Sequence, residues 1–435
     1  MRYGISLFCS GGIGDLAFRE NNVKIILANE LLPDRADVFK QNYPDTKLIV
    51  GDIRNKYHEI IKTAKQILGN KKLDVIFATP PCQGMSKNGR GKLLSEKRLG
   101  RREYFDERNQ LIIPTIEIIK SLSPEFIFFE NVPEMQHTEI IVENKKINIL
   151  RFISESLPDY VGTWEVIEFA DYGVPQRRQR LLTIFTKNKI ISNLITRKYS
   201  IFPPRTHSSA GIKGTLPWVT LRDVIGNLPP LDAKEKETAY SQDIPFHRVP
   251  TLDKEKYFWI ENTPEGKSAF DNQCAFCHFS ENQTHGSQKQ DGINRARTDT
   301  PLYCQKCGRR LPRPCVKDGD TYRIMRGYTS AYKRMLWDQP SPALTRNMSY
   351  ACSDNKIHPS QNRVLSLYEA FIIHTINKYN YIWKRGDGKI SDKTIREIIG
   401  ESIPPKGLEI IISYIFKIAD SHSFPFKKMK QLSLL

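Results

Sequence analysis

The apolar run Leu73-Asp74-Val75-Ile76-Phe77-Ala78, cut off by Thr79-Pro80-Pro81-Cys82-Gln83-Gly84-Met85-Ser86, constrains the fold more than any other stretch. A short run that is apolar on both faces suits a strand buried inside a parallel sheet. Two successive prolines then stop the ladder, because neither has an N–H to donate. The cysteine after them therefore stands at the carboxyl end of a strand, which is where open α/β sheets bind ligands. The next segment, Lys87 to Arg102, holds seven Lys/Arg against one Glu. A thiol beside such a segment fits a nucleophile that meets a polyanion. Taken alone, a structural thiol would look the same.

Upstream, Ile5-Ser6-Leu7-Phe8 reads as a strand that runs into Cys9-Ser10-Gly11-Gly12-Ile13-Gly14-Asp15 and then a helical pattern, Leu16-Ala17-Phe18. A strand, a Gly-rich turn and a helix are a common way to hold a dinucleotide or adenosyl group, because glycine permits a tight turn and close backbone approach. A second strand, Val23 to Ala28, ends at Asn29-Glu30, which places Glu30 22 residues past Phe8. A third, Lys47 to Val50, ends at Gly51-Asp52. An acid after the second strand is the expected partner of ribose hydroxyls. A carboxylate after the third can accept from an adenine amino group. Either acid alone serves equally well as a helix N-cap or a solvated turn residue. Both together, after a Gly-rich turn, favour a bound nucleoside.

A helix is expected from about Glu107 to Ser121, then a strand, Glu125 to Phe129, ending at Glu130-Asn131-Val132-Pro133. A helix over roughly Lys146 to Leu157 precedes Trp164 to Phe169, and Tyr172-Gly173-Val174-Pro175-Gln176-Arg177-Arg178-Gln179-Arg180 leads into a strand, Leu181 to Thr186. Strands alternating with helices over residues 1–188 predict an α/β fold with a doubly wound, Rossmann-like sheet. After residue 189 Pro, Thr, Asp and Lys become frequent, so 189–350 reads as a smaller, loop-rich domain. Helical patterning returns at Val364 to Ile376, Thr394 to Ile398 and Leu408 to Ile418. Residues 351–435 are thus expected to hold a hinge and C-terminal helices, the last returning to the first domain.

In a parallel sheet Cys82 and Glu130 share one rim, and Arg178 and Arg180 follow within the same domain. These residue types suit one reaction. Carbon 6 of a cytosine is electron-poor enough for a thiolate to attack, and the attack makes carbon 5 nucleophilic toward a sulfonium methyl. Such an enzyme needs a Cys nucleophile, an acid at the N3 edge of the base and cations near its carbonyl oxygen. Arginine suits that oxygen because its rigid fork holds charge and donors together.

The chain resembles the DNA (cytosine-5) methyltransferases of the prokaryotic, restriction–modification type. Pro-Cys-Gln at 81–83, Glu-Asn-Val at 130–132 and Gln-Arg-Arg-Gln-Arg at 176–180 stand in family order and at family spacing. Arg334-x-x-Trp337-Asp338-x-Pro340-Ser341-Pro342-Ala343-Leu344-Thr345 is similar to the ninth family motif, and Gly400-Glu401-Ser402-Ile403-Pro404-Pro405 to the last. The resemblance implies S-adenosyl-L-methionine as methyl donor and a cytosine flipped out of the duplex, at a cost of roughly a few kcal/mol. It implies Phe8, Gly12, Ile13, Gly14, Pro80 and Ser402 around that donor, with Glu30 on the ribose and Asp52 on the adenine. It implies Cys82 as nucleophile, Glu130 at N3 and the exocyclic amine, Arg180 on the base O2 and Arg178 orienting the site. The segment from Gly84 to Arg102 would close over the DNA. Three positions depart from the family pattern: Ser10 replaces the first glycine, Leu31 stands where an aromatic often stacks on adenine, and Glu401 replaces an Asn.

Cys274-x-x-Cys277 and Cys304-x-x-Cys307 form two thiolate pairs separated by 26 residues. Paired Cys-x-x-Cys knuckles can give four sulfurs to a structural zinc, so a zinc-ribbon insert with four cysteine ligands is expected at 274–307. His278 is an alternative ligand that more readily faces solvent. Cys315 and Cys352 read as structural, and Cys9 as a turn residue near the cofactor. In this family the stretch before the ninth motif recognises the target, and Arg295, Arg297, Arg309, Arg310 and Arg313 are candidates for phosphate or guanine contacts.

The formal charge of +18, from 66 basic and 48 acidic residues, favours a polyanionic partner. Double-stranded DNA is the expected one. A cognate restriction endonuclease would act on the same site without forming a stable complex. No apolar run is long enough to span a membrane, and the expectation is a cytoplasmic, nucleoid-associated monomer from a bacterium or archaeon. The competing readings are a tRNA cytosine-5 methyltransferase, against which the large cysteine-bearing insert argues, and a catalytically silent DNA-binding regulator, against which the intact Cys82, Glu130 and Arg180 argue.

Overall fold

A seven-stranded sheet carries Glu30, Glu130 and Arg180 on its strands. Its strands are β1 (Arg2–Leu7), β2 (Val23–Glu30), β3 (Lys47–Val50), β4 (Val75–Ala78), β5 (Phe126–Asn131), β6 (Val161–Glu168) and β7 (Gln179–Thr186). The spatial order is β3-β2-β1-β4-β5-β7-β6. β1 to β5 run parallel to one another, and β7 runs antiparallel to both β5 and β6. The computed structural model describes residues 1–81, 85, 106–212, 214–290, 293–297, 299–325, 331–352, 355–386 and 388–421, with backbone alone over 287–290 and 293–296.

Every residue of β4 and of β5 is buried, as expected of central strands covered on both faces. One face carries α3 (Ile53–Leu68), α4 (Ile112–Leu122) and α5 (Ile149–Ser156). The other carries α1 (Asp15–Glu20), α6 (Lys189–Thr196) and the last helix, α11 (Pro405–Ala419). Between them in the chain are α2 (Pro33–Asn42), α7 (Leu221–Ile225), α8 (Lys254–Glu261), α9 (Leu367–Ile373) and α10 (Asp392–Glu401). α11 packs on α1 and α6, and its Phe416 meets Phe126 and Phe128 of β5 edge-on. Burying a side chain of that size contributes about 1.5–3 kcal/mol, so the C-terminal helix is fastened by the sheet's own core.

Local chemistry sets the helix ends. Asp52 caps α3 by accepting from Arg54 N–H, and Gly69 closes it at φ +55. Ser366 and Glu369 form a capping box at α9. The helix expected from Lys146 begins later, at Ile149, because Glu139–Val142 and Lys145–Asn148 pair as a hairpin. Its two turn residues, Glu143 and Asn144, take positive φ, and Asn148 then caps α5. The segment expected as helix from Glu107 starts as a 3-10 turn, Glu107–Leu111, before α4.

The loop-rich stretch has a core of its own. Trp259, Phe270, Leu302, Ile324, Tyr332 and Ile357 cluster apart from the sheet. Ile191, Leu221, Met335 and Leu344 instead share the core that holds α1 and α11. Two buried arginines replace missing ladders as ties. Arg334 donates to the carbonyls of Thr263, His358, Gln361 and Ile260. Arg313 donates to those of Asn272, Gln283 and Pro301.

Candidate active site

The carboxyl ends of β1, β2 and β3 form one half of the rim. The chain leaves β1 through Phe8 at φ +61 and Ser10 at φ +48, then Gly12 at φ +79. A Cβ on Gly12 would lie 2.5 Å from the Tyr43 ring, so only glycine fits. Two tyrosines distant in sequence hold the turn: Tyr43 donates to the Gly12 carbonyl at 2.8 Å and Tyr381 to that of Gly11 at 2.5 Å. Ile13 is buried, and a Cβ on Gly14 would press on Phe77 at 3.0 Å, so these two shape the turn from beneath. The next residue, Asp15, is buried beside Ser6, and burial pushes its carboxyl up to about 7.

Glu30 is buried at the end of β2, with one oxygen accepting from Ser10 N–H at 2.7 Å and the other from Leu32 N–H at 2.9 Å. A carboxylate has about four acceptor positions, so capacity remains for two hydroxyl donors. Leu31 and Val50 flank it at 55% and 42% exposure, leaving apolar walls uncovered at the ends of β2 and β3. Asp52 is engaged elsewhere. Its carboxylate caps α3 and pairs with Arg54 at 2.6 Å, and that hydrogen bond holds it below the usual carboxylate range.

The other half of the rim lies at β4 and β5. Glu130 is buried near the end of β5, opposite Leu182 of β7. Arg180, earlier on β7, brings Nε to 2.7 Å from its Oε1. Burial raises the Glu130 carboxyl, while Arg180 and Arg178 oppose the rise. Asn131 then donates to the Pro80 carbonyl at 2.9 Å, tying the buried Pro80 to the end of β5. Cys82 and the segment from Gly84 to Arg102, Met85 excepted, lie outside the described residues.

The Gln-Arg-Arg-Gln-Arg stretch is extended, so its side chains alternate. Arg177 and Gln179 are exposed, whereas Gln176 and Arg178 are buried. Arg178 donates to the carbonyls of Leu344 at 2.8 Å, Gly400 at 2.9 Å and Ser402 at 2.6 Å. It ties the rim to both C-terminal motifs rather than opening onto the cleft. Gln176–Arg177 also pairs with Ser341–Pro342. The Ser402 hydroxyl donates to Ile399 O at 3.0 Å and lies 2.9 Å from His374 Nε2. Glu401, in place of the family Asn, pairs with Arg35 at 3.0 Å and Arg346 at 3.4 Å.

A cleft of about 730 Å³ opens beside Arg180, the partner of Glu130. Val132, Glu134, Arg177 and Arg180 line one side, and Lys333, Leu336, Gln339 and Pro340 the other. It therefore lies between the sheet rim and the loop-rich stretch.

The four predicted thiols come together, with all sulfurs within 4.8 Å of one another. Cys274 Sγ is 3.6 Å from Cys307 Sγ, and Cys277 Sγ is 3.7 Å from Cys304 Sγ. The residue after each knuckle, His278 at φ +56 and Gly308 at φ +71, takes the same left-handed turn. His278 is exposed and outside the cluster. Cys9 and Cys315 are buried, but Cys352 is exposed, contrary to the expectation of a structural thiol. Of the candidate recognition arginines, Arg313 is fully buried and used as a tie, Arg297 pairs with Asp299, and Arg310 pairs with Glu255. Arg309 stacks over Phe276 at 5.0 Å, and the side chain of Arg295 lies outside the described residues.

His374, Tyr43, Tyr381 and Asn131 were not predicted as site residues. Only Asn131 had a signal, its place in the Glu-Asn-Val run. The chain is 30% identical over 419 residues to the Type II methyltransferase M1.HgaI of Avibacterium volantium, covering 95% of this chain and 98% of that one. It is 32% identical over 228 residues to the Type II methyltransferase M.NgoPII of Neisseria gonorrhoeae, covering 52% and 56% of the two chains. The fold is similar to that of a DNA modification methyltransferase encoded within a prophage of E. coli, with a TM-score of 0.55 at 19% identity over 97% of this chain and 100% of that one. The S. pombe Dnmt2 methyltransferase gives a TM-score of 0.53 at 10% identity, over 96% and 99%. The model of the C-5 cytosine-specific DNA methylases matches residues 3–417, and the chain belongs to that family as a DNA (cytosine-5) methyltransferase.

Proposed function

We propose that the chain methylates one cytosine within a defined duplex sequence and so protects DNA from a restriction endonuclease of the same specificity. The observation that carries this reading is the buried Glu130–Arg180 pair beside the Asn131–Pro80 tie, with Arg180 also lining a cleft large enough to admit a flipped base. Cys82 is the nucleophile. Its thiolate adds to carbon 6 of the cytosine, and the π electrons of the C5–C6 bond move onto carbon 5. Glu130 supports the addition as a hydrogen-bond donor at N3, a task its raised pKa favours. Arg180 both supports Glu130 and presents cationic donors to O2. S-adenosyl-L-methionine supplies the electrophilic methyl group that carbon 5 accepts. Loss of the C5 proton and expulsion of the thiolate then restore the ring double bond.

The rim at β1 to β3 suits that donor. Glu30 has acceptor capacity left for ribose hydroxyls, Leu31 and Val50 leave apolar surface for an adenine, and the left-handed turn at Phe8 to Gly12 brings backbone close. For Asp52 to take an adenine amino group as well, it must share its oxygens with Arg54. Residues 189–350 are proposed to read the DNA sequence across the cleft, and 351–435 to close the fold behind it. The four cysteines fit a structural zinc, since Zn–S bonds of about 2.3 Å in a tetrahedron imply sulfur spacings of roughly 3.8 Å. An enzyme acting as a monomer on DNA in the cytoplasm accords with this reading, and among the described residues no helix is long and apolar enough to cross a membrane.

Nucleoside mass spectrometry tests it. Incubation with S-adenosyl-L-methionine and mixed-sequence duplex DNA should yield 5-methylcytosine, Cys82→Ser should yield none, and Glu130→Gln should slow transfer by about 10²–10⁴-fold. Product in tRNA but not in DNA, or full activity of Cys82→Ser, would overturn the assignment.

A further inference from the structure

We infer that His374, held as a neutral imidazole protonated on Nε2, is a positioning residue that locks the Ser402 turn to the arginine ribbon of the active site. The inference rests on the proposed placement of Ser402 at the methyl donor and of Arg180 at the base. His374 is fully buried at the carboxyl end of α9, in neither of the motifs it joins. Its Nδ1 lies 3.1 Å from the Gln176 side-chain amide nitrogen, and its Nε2 lies 2.9 Å from the Ser402 hydroxyl.

The surrounding bonds fix every role in this chain of contacts. The Gln176 carbonyl oxygen accepts from Leu344 N–H at 3.0 Å, so the NH2 end of that amide faces the ring. Nδ1 is therefore the acceptor and the ring proton sits on Nε2. Nε2–H donates to Ser402 Oγ, and the Ser402 hydroxyl passes its own proton to Ile399 O at 3.0 Å. A second proton on Nδ1 would meet the amide NH2 head-on. Burial already drives the imidazole toward its neutral form, and Arg178 and Arg180 add to this, outweighing a backbone hydrogen bond at Ile403 that favours the protonated ring.

The ring thus joins two stretches that must agree in position. Gln176, Arg178 and Arg180 fall on one side of the extended ribbon, two residues apart. The first holds His374, the second the carbonyls of Gly400 and Ser402, and the third Glu130. Arg178 fixes the backbone of the Gly400–Ser402 turn, and His374 fixes the hydroxyl that the turn presents. Without the ring, Ser402 keeps its backbone place and its bond to Ile399 O, but its oxygen loses the donor that holds it from the other side.

The test uses the full chain, with S-adenosyl-L-homocysteine binding measured by equilibrium dialysis without DNA and the KM for S-adenosyl-L-methionine measured on mixed-sequence duplex DNA. All values are normalised to the fraction of folded enzyme. His374→Leu fills the space but removes both hydrogen bonds. It should weaken S-adenosyl-L-homocysteine and raise the KM up to about tenfold, as the loss of one hydrogen bond from a displaced Ser402 hydroxyl to the methyl donor implies, with a smaller change in kcat. His374→Gln offers one acceptor and one donor in the same order and should return both values to within about threefold of wild type. Unchanged binding and KM in His374→Leu, or a His374→Gln no better than Leu, would overturn the inference. Failure of the wild-type chain to bind S-adenosyl-L-homocysteine at all would instead strike the proposed function.

Discussion

Arg178 offers the sharpest test of how the site is held together. Its guanidinium is 1% exposed and donates to the carbonyls of Leu344, Gly400 and Ser402, at separations in sequence of 166, 222 and 224 residues. Arg178→Leu leaves those carbonyls without that donor in a buried setting. At about 1–2 kcal/mol for each orphaned group, the loss is roughly 3–6 kcal/mol. For a core of this size about 2 °C per kcal/mol is expected, which puts the fall in Tm at roughly 6–12 °C. Arg178→Lys keeps the charge but not the planar fork, and it should fall between. Arg180→Leu makes the contrast, because its side chain is 14% exposed at the rim and pairs with one carboxylate. That variant should lose methyl transfer while melting closer to wild type. Thermal melts by circular dichroism, read beside transfer rates, separate the two. A melt of Arg178→Leu within about 2 °C of wild type would show that the guanidinium is not what ties the C-terminal motifs to the sheet.

Metal analysis of protein purified under reducing conditions should find about one zinc per chain. Chelation should weaken DNA binding and lower the melting temperature of the loop-rich stretch while sparing S-adenosyl-L-homocysteine binding; a metal-free protein with full DNA affinity would refute the zinc reading. The buried Asp15, pushed up to about 7, gives a pH signature. An acid that holds its proton more tightly folded than unfolded makes the fold less stable as pH rises from about 4 to about 7, with no further change above that. Asp15→Asn should remove this slope, on the order of 3 kcal/mol between pH 5 and pH 8, and parallel Tm profiles for the two proteins would exclude it.

Strands and their rim were legible because their signals are local. β3 occupies the predicted residues, Lys47–Val50, and β4 lies within the predicted run, because apolar runs bounded by Gly, Pro and acids leave few alternatives. Where a short turn competes with helical periodicity the reading failed, as at the hairpin before α5, whose positive-φ turn rests on Glu143 and Asn144 rather than on glycine. The pairing of the four cysteines was legible because each Cys-x-x-Cys knuckle is a local turn, and the fold brings all four sulfurs within 4.8 Å.

What the sequence by itself determined was the identity and order of the candidate groups: which strand ends carry Glu30 and Glu130, and which ribbon carries Arg180. Strand alternation and the rim of a parallel sheet place such groups without reference to the rest of the chain. Only the tertiary structure decided how those groups are used and held. It engaged Asp52 as a helix cap paired with Arg54. It buried Arg178 and Arg313 as backbone ties and brought Tyr381 and His374 against motifs more than 190 residues away. Those contacts follow from which elements pack together, and a buried donor takes whatever carbonyl the packing sets before it, which no periodicity along the chain encodes.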